Sequence, residues 1–393
     1  MVTETYDHIV AIVLVGVIFI GTVVAVPAAI SFTTFQAVDE QQLRNTATNL
    51  FNAILLGPGN PSNWGSIFPF DQTNVNEFGL ASDNQLSKYI LNSDKVQRLD
   101  PKGLGYISYS YVKDLLGMQE YDFSFSLFRP FNVDWDIQFS GQNTVQLSVN
   151  VTRTEDGAPI PGAAVNANIV VTAVNPNKKD QPTIAISEIY HTEYTNLMGS
   201  AKITETMVID SGYSLEKAIA FMRIVVSGME TMVVASKDIL AQDCLRISTF
   251  DDTVGLTFWD QEYYNTTKTP NGERKIEYIY GYDFESLMLL HKGDSHDVVT
   301  QGDGYDSWSR TFPGISSVNP PMLIFVISVP LGQGQGGRQL VVIGGPFSFN
   351  AQNKIFTFGH EGPYSNVIAT LQRFVVIDGM TYIAKLNLQE ALV

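Results

Sequence analysis

From Ile9 to Val26 the chain reads IVAIVLVGVIFIGTVVAV, and no Asp, Glu, Lys or Arg occurs between Asp7 and Asp39. A helix needs about 20 apolar residues to cross a hydrocarbon core, and this run, extended by Pro27, Ala28, Ala29 and Ile30, supplies them. Ile9, Val13, Leu14, Val17, Phe19, Ile20, Val24 and Val26 are the side chains expected to meet lipid. A cleaved signal peptide is the rival, because Val26-Pro27-Ala28 vaguely resembles a small-residue processing site. Two features oppose it: Met1 to His8 hold no Lys or Arg, and the run is longer than the usual h-region of about 7 to 15 residues. A retained single-pass anchor in the cell membrane is therefore expected, with everything downstream extracytoplasmic. Arg44 is the only nearby cation, so flanking charge says little about orientation. The sequons Asn150-Val151-Thr152 and Asn265-Thr266-Thr267 fit an exposed setting and make Asn150 and Asn265 the candidate glycosylation sites.

Beyond Pro27 a helical pattern returns. Leu43, Ala47, Leu50, Phe51, Ile54 and Leu55 recur at spacings of three and four, which predicts an amphipathic stalk whose apolar face docks on the globular part. Gly57-Pro58-Gly59-Asn60-Pro61 should stop it near Leu56. The remaining chain is long enough for two or three modules of roughly 100 to 150 residues. Its composition, 45% hydrophobic and 16% charged with plentiful Gly, Tyr and Phe, suits strands and turns. The expected fold class is mainly β (α+β): residues 1–56 as anchor and stalk, 57–142 as a small mixed region, 143–210 as a β-sandwich module and 211–393 as a β-rich C-terminal domain.

Local patterns fill in these units. Leu86 to Leu91 and Tyr109 to Leu116 have helical spacing, and Tyr121 to Leu127 alternates as a strand should. Ile219 to Val226 and Thr231 to Ala235 are expected to pair across Ser227-Gly228-Met229-Glu230, and Arg274 to Tyr282 to form a strand after Thr269-Pro270-Asn271-Gly272. Met322 to Val329 is apolar but short and closed by Pro330, so it reads as a buried strand and not a second span. Leu340 to Ile343, Lys354 to Phe358 and Phe374 to Ile377 continue the series.

A long apolar N-terminal helix, broken by a proline and continued as an amphipathic stalk, resembles the type IV pilin and pseudopilin architecture. The stretch YDHIVAIVLVGVIFIGTVVAVP followed by DEQQLRNTATNLFNAILLGPGNPSNWGS is also similar to the N-termini of archaeal membrane-anchored surface proteins. The pilin resemblance implies filament assembly through the apolar helix, although Met1 to His8 lack a basic leader and a peptidase site and only Glu4 stands in for the pilin acidic residue. A second resemblance covers residues 143 to 210. There VQLSVNVTRTEDGAPIPGAAVNANIVVTAV looks like an Ig-like or carboxypeptidase-regulatory-like β-sandwich, with Gly157, Pro159, Gly162 and Ala163 in its turn and Val165, Ala167, Ile169 and Val171 alternating inward. It implies a structural or adhesive module.

The formal charge of −16 argues against a nucleic-acid partner. A single cysteine, Cys244, excludes an intramolecular disulfide and a Cys-based zinc site, and reads as a small buried residue. Gly332 to Gly337 lacks the following helix and Gly-Lys-Ser/Thr of a phosphate loop and reads as a hairpin loop. Of the five histidines only His291 and His296 are close in sequence, without zinc-ligand spacing. Asp294, Asp297, Asp303 and Asp306 are the weak metal candidates, with calcium the ion a carboxylate loop would take; no other cofactor is expected. No Gly-x-Ser-x-Gly elbow occurs, and nothing in the sequence pairs Asp251-Asp252 as acid and base. The expectation is a membrane-tethered cell-surface structural, adhesion or interaction protein without a catalytic role. Its partners are membrane lipid and other proteins or copies of itself; the alternative is a pilin-like filament subunit.

Overall fold

The computed structural model describes residues 40–83, 89–101, 105–175, 177–186, 191–236, 245–258, 275–282, 287–294, 300–301, 306–315, 322–330, 338–345, 354–360, 362 and 368–391. The expected span Ile9 to Val26, Cys244, Asn265 and the glycine run Gly332 to Gly337 lie outside them. Among the described residues no helix is long and apolar enough to cross a membrane. The fold is mainly β, and the described residues form five sheets and a helical base.

Helix α1 covers residues 40–56. Leu43, Ala47, Leu50, Phe51, Ile54 and Leu55, the face marked by the three-and-four spacing, are all buried. Five of these are large side chains worth about 1.5–3 kcal/mol each on burial, far more than the ~1 kcal/mol of a helix cap, so packing rather than propensity holds α1. Its partners are the base sheet, ordered β1 (Ile90–Leu91), β20 (Ala369–Ile377), β21 (Met380–Glu390), β2 (Tyr121–Phe128) and β19 (Lys354–Gly359). Phe51 meets Phe125 edge to face at 6.5 Å. Helices α2 (Ser93–Gln97) and α3 (Tyr109–Leu115) complete this base. The helical spacing of Leu86 to Leu91 misleads at its end: Ile90 and Leu91 pair in parallel with Val376 and Ile377, a long-range partner that overrides local pattern.

Two further sheets form a sandwich. The outer sheet is β3 (Phe131–Ser140), β4 (Thr144–Arg153) and β8 (Ser200–Thr206). The central sheet is β10 (Met229–Ser236), β9 (Ser214–Val226), β5 (Ala164–Asn175) and β6 (Lys178–Ile186), with β7 (His191–Tyr194) also on β5. Val165, Ala167, Ile169 and Val171 of β5 meet Val145, Leu147, Val149 and Val151 of β4 in one core. The sandwich therefore draws on strands from Phe131 to Ser236, beyond 143 and 210 on both sides. The β9–β10 hairpin closes in two residues, with Val226 opposite Met229 and positive φ at Ser227 and Gly228, the turn that matches strand twist.

The other face of the central sheet is equally covered. Val170, Ile219, Phe221, Met232 and Val234 share a core with Ile324, Val326, Leu340 and Val342. The latter belong to a fourth sheet, β14 (Leu287–Lys292), β13 (Lys275–Tyr282), β17 (Met322–Pro330) and β18 (Arg338–Gly345). Its far side, Leu323, Phe325 and Ile327, packs on Ile247, Val254, Leu256 and Trp308. These come from the last sheet, β11 (Leu245–Phe250), β12 (Thr253–Phe258), β16 (Asp306–Thr311) and β15 (Thr300–Gln301). Four sheets are thus stacked in layers, and the uninterrupted apolar run of β17 follows from burial on both of its faces.

The end of α1 depends on a close backbone approach. Leu80 N donates to Ile54 O at 2.8 Å and Ala81 N to Gly57 O at 3.0 Å, satisfying carbonyls that a helix end leaves open. A Cβ on Gly79 would lie 2.1 Å from Gly57 O. Gly79→Ala is expected to destabilise the protein by about 2 kcal/mol or more, at the upper part of the overpacking range, because the obstacle is backbone. Thermal unfolding of the purified chain measures this; an unchanged midpoint would contradict the packing of residues 57–81 on the helix end.

Candidate functional site

The outward face of the outer sheet is polar because its three strands alternate. Val133, Trp135 and Ile137 turn toward the sandwich core, leaving Asn132, Asp134, Asp136 and Gln138 outside. The register sets Asp134, Asn150 and Ser200 in one row across the sheet and Asp136, Ser148 and Lys202 in the next. Between and over these rows runs an open groove of about 420 Å³, lined by these six residues, by Trp135, Val149 and Ala201 of the strands between, and by Asn196. Adjacent strands are about 4.8 Å apart, so the backbones of Asp136 and Lys202 stand roughly 10 Å apart, with only Ser148 between them. At that separation in water their attraction is about 0.4 kcal/mol, too weak to draw them together across the groove.

Several side chains are already oriented. Gln138 Nε2 donates to Asp136 Oδ2 at 2.6 Å, and Ser200 Oγ donates to Asn150 Oδ1 at 3.2 Å. One end of the groove is a stiff turn: Asn196 Oδ1 accepts from Met198 N at 2.9 Å and Ser200 N at 3.2 Å. Gly199 in that turn has φ 74°, and a Cβ there would lie 2.6 Å from Val151 O, so no other residue fits without moving the chain. Thr195 fastens the turn to the sandwich through Gly162 N at 2.8 Å and Ala163 N at 2.8 Å. The turn presents Tyr194, Leu197 and Met198 to solvent, 66, 84 and 72% exposed. The side chains of His191 and Glu205 meet beside it, joining β7 to β8.

The lining is rich in hydrogen-bonding groups. It offers carboxylate acceptors, an ammonium donor, and amides and hydroxyls that do both, with no histidine, cysteine or tyrosine among them. Among the described residues no group of three or more His, Cys, Asp or Glu is placed to hold a metal ion.

Of the residues singled out by sequence, only Asn150 enters the groove. Asp294 lies 3.8 Å from Arg310 Nη1, whose Nη1 is also 3.3 Å from His291 Nε2, so a guanidinium stands between the two. Asp297 and Asp303 lie outside the described residues, and Asp306 is placed by its backbone opposite Phe258 and Gln301. Asp251 and Asp252 form the β11–β12 turn, where Asp252 Oδ2 accepts from Gly314 N at 2.9 Å. Asp134, Asp136, Ser148, Asn196, Ser200 and Lys202 escaped the sequence reading. The alternation in FNVDWDIQFS and TVQLSVNVTR marks the outward face of Asp134, Asp136 and Ser148, but only the pairing register brings Ser200 and Lys202 beside them.

Two other clusters bear charge inside the fold and are structural in geometry. Arg98, fully buried, is held between the rings of Phe70 and Phe250 at 4.4 and 3.6 Å and donates to Gly65 O and Ile67 O at 2.9 and 2.6 Å. Burial lowers its pKa to about 9, which Asp94 partly opposes, so it remains charged at neutral pH. Asp122 accepts from Lys113 Nζ at 2.8 Å and from Tyr109 Oη at 3.3 Å, and its Oδ2 lies 3.9 Å from His360 Nδ1. Burial pushes the Tyr109 hydroxyl up to about 12, so it serves as a donor.

Comparison with protein-family models and with curated protein sequences finds no match.

Burial pushes the Asp122 carboxyl up, but the hydrogen bond and charge of Lys113, with smaller contributions from His360 and Tyr109, outweigh it and hold the pKa below the usual value. A depressed folded pKa gives stability that is present above the unfolded value near 3.9 and is lost as pH falls through the folded one. Asp122→Asn is expected to cost about 1–3 kcal/mol at pH 7, and the gap to wild type should narrow as denaturation is repeated at progressively lower pH below about 4. A gap independent of pH would show that charge at Asp122 is not what binds α3 to the base sheet.

Proposed function

We propose that the chain is a membrane-tethered surface protein of structural or adhesive type, whose layered sheets hold the groove of the outer sheet away from the anchor as a recognition surface. The observation that carries this reading is the groove itself: an ordered, open, hydrogen-bonding surface on a sheet face, beside a stiff turn that exposes apolar side chains. Surface-exposed apolar clusters of that kind mark interaction sites more often than catalytic ones. The apolar run Ile9 to Val26 supports the tether, since it meets the length that a lipid core requires. Helix α1 supports the stalk, because residues 40–56 bury one face in the base of the head. The sandwich of β3 to β10 supports the likeness to Ig-like modules in layering, with the turn at Gly157 to Ala163 at its edge.

In cells making the full chain, the protein is expected to remain with membranes after alkaline washing, to dissolve with detergent, and to be cut by protease added to intact cells. Recovery in the soluble fraction with an intact N-terminus would overturn the tether. Recovery in filaments sheared from the cell surface would replace it with the pilin-like alternative.

A further inference from the structure

The lining of the groove restricts what it can hold. The exposed lining is mostly carbon with polar groups set among it, and a purely apolar guest would leave Asp134, Asp136, Asn150 and Lys202 without the hydrogen bonds that water gives them. An anion would face the two carboxylates of β3 with only Lys202 to offset them. A cation would find the converse, a net charge of one unit spread over a groove open to water and screened by salt. A neutral guest bearing many hydroxyls meets none of these penalties. Each hydroxyl both donates and accepts, as the lining does: the carboxylates accept, Lys202 donates, and Ser148, Ser200, Asn150 and Asn196 do both. The volume of about 420 Å³ is at the small end of ligand sites, and the open form lets a chain enter and leave along the strands. We infer that the groove between the Asp134–Asn150–Ser200 and Asp136–Ser148–Lys202 rows binds a short stretch of a neutral polyhydroxylated chain, that is, a glycan. This rests on the recognition reading of the groove but not on the tether.

Asn150 sharpens the inference. Its side chain lines the groove and is also the acceptor of a sequon, so a glycan attached there would fill the site that a guest must enter.

The test uses the purified full chain and a panel of neutral oligosaccharides of glucose, mannose and N-acetylglucosamine, with an acidic oligosaccharide and a basic peptide as comparators. At least one neutral member is expected to bind, with an affinity unchanged between low and high salt. Ser148→Tyr, at an exposed strand position where an aromatic residue is well tolerated, should weaken binding at least tenfold while leaving the unfolding midpoint in place. Asp136→Asn should weaken it by a smaller factor. Mass spectrometry of the natural protein should find Asn150 unmodified. Binding of the basic peptide alone with steep salt dependence, binding of no neutral sugar, binding that survives Ser148→Tyr, or a glycan on Asn150 would each overturn the inference. Membrane fractionation would be unaffected by any of these outcomes, so the two readings fail separately.

Discussion

The structure depends on burial of the central sheet on both faces. Alternate residues of β5, β9 and β10 serve two different cores: Ala167, Ile169 and Met222 belong to the sandwich, while Val170, Phe221 and Val234 face the layer of β17 and β18. Dispersion and the hydrophobic effect are non-directional, so what fixes the stack is the strand period of two, which sends neighbouring side chains to opposite layers. A one-residue slip of β9 would exchange the two sets and leave neither core filled. Arg129 adds direction where apolar contact cannot. Fully buried between the base and central sheets, it donates Nε to Met232 O at 3.0 Å, tying β10 to the chain that leaves β2.

From this constraint the site follows. With the inner face of the outer sheet committed to the sandwich core, its other face is left to water, and alternation fills that face with Asp, Asn, Ser, Gln and Lys. A sheet covered on one side only presents polar side chains on the other. The short side chains of Ser148 and Ser200 make the surface concave, and the turn fixed by Asn196 and Gly199 closes one end. The charged residues of the base play a different part. Asp122, Lys113 and Tyr109 lock α3 against β2. Gln97 pairs with Thr249 through both its Oε1 and its Nε2, at 2.8 and 3.2 Å, so a side chain takes up hydrogen bonds at the edge strand β11.

Individual elements show why some of this was legible and some was not. The face of α1 could be read because helical periodicity is local and all six of its apolar residues serve one core. The β9–β10 pairing could be read across Ser227-Gly228-Met229-Glu230 because it joins near neighbours in sequence, but the turn is shorter than that reading, since Met229 and Glu230 already pair with Val226 and Val225. The end of Leu86 to Leu91 could not, because Ile90 and Leu91 take their partner from nearly three hundred residues away. The groove was invisible for the same reason: Asp136, Ser148 and Lys202 come from three strands whose order and register no local pattern states.

The sequence by itself determined helix α1 and its stop at Gly57-Pro58, the dominance of strands, and which side of most strands is apolar, since each of these is set by neighbours a few residues apart. Only the tertiary structure decided which sheets lie on which, that among the described residues the central sheet is enclosed while the outer one is covered on one face only, and which polar residues meet there. Those are choices among long-range pairings of similar strands, and they are made by the simultaneous filling of several cores, a condition that no single segment of the chain contains.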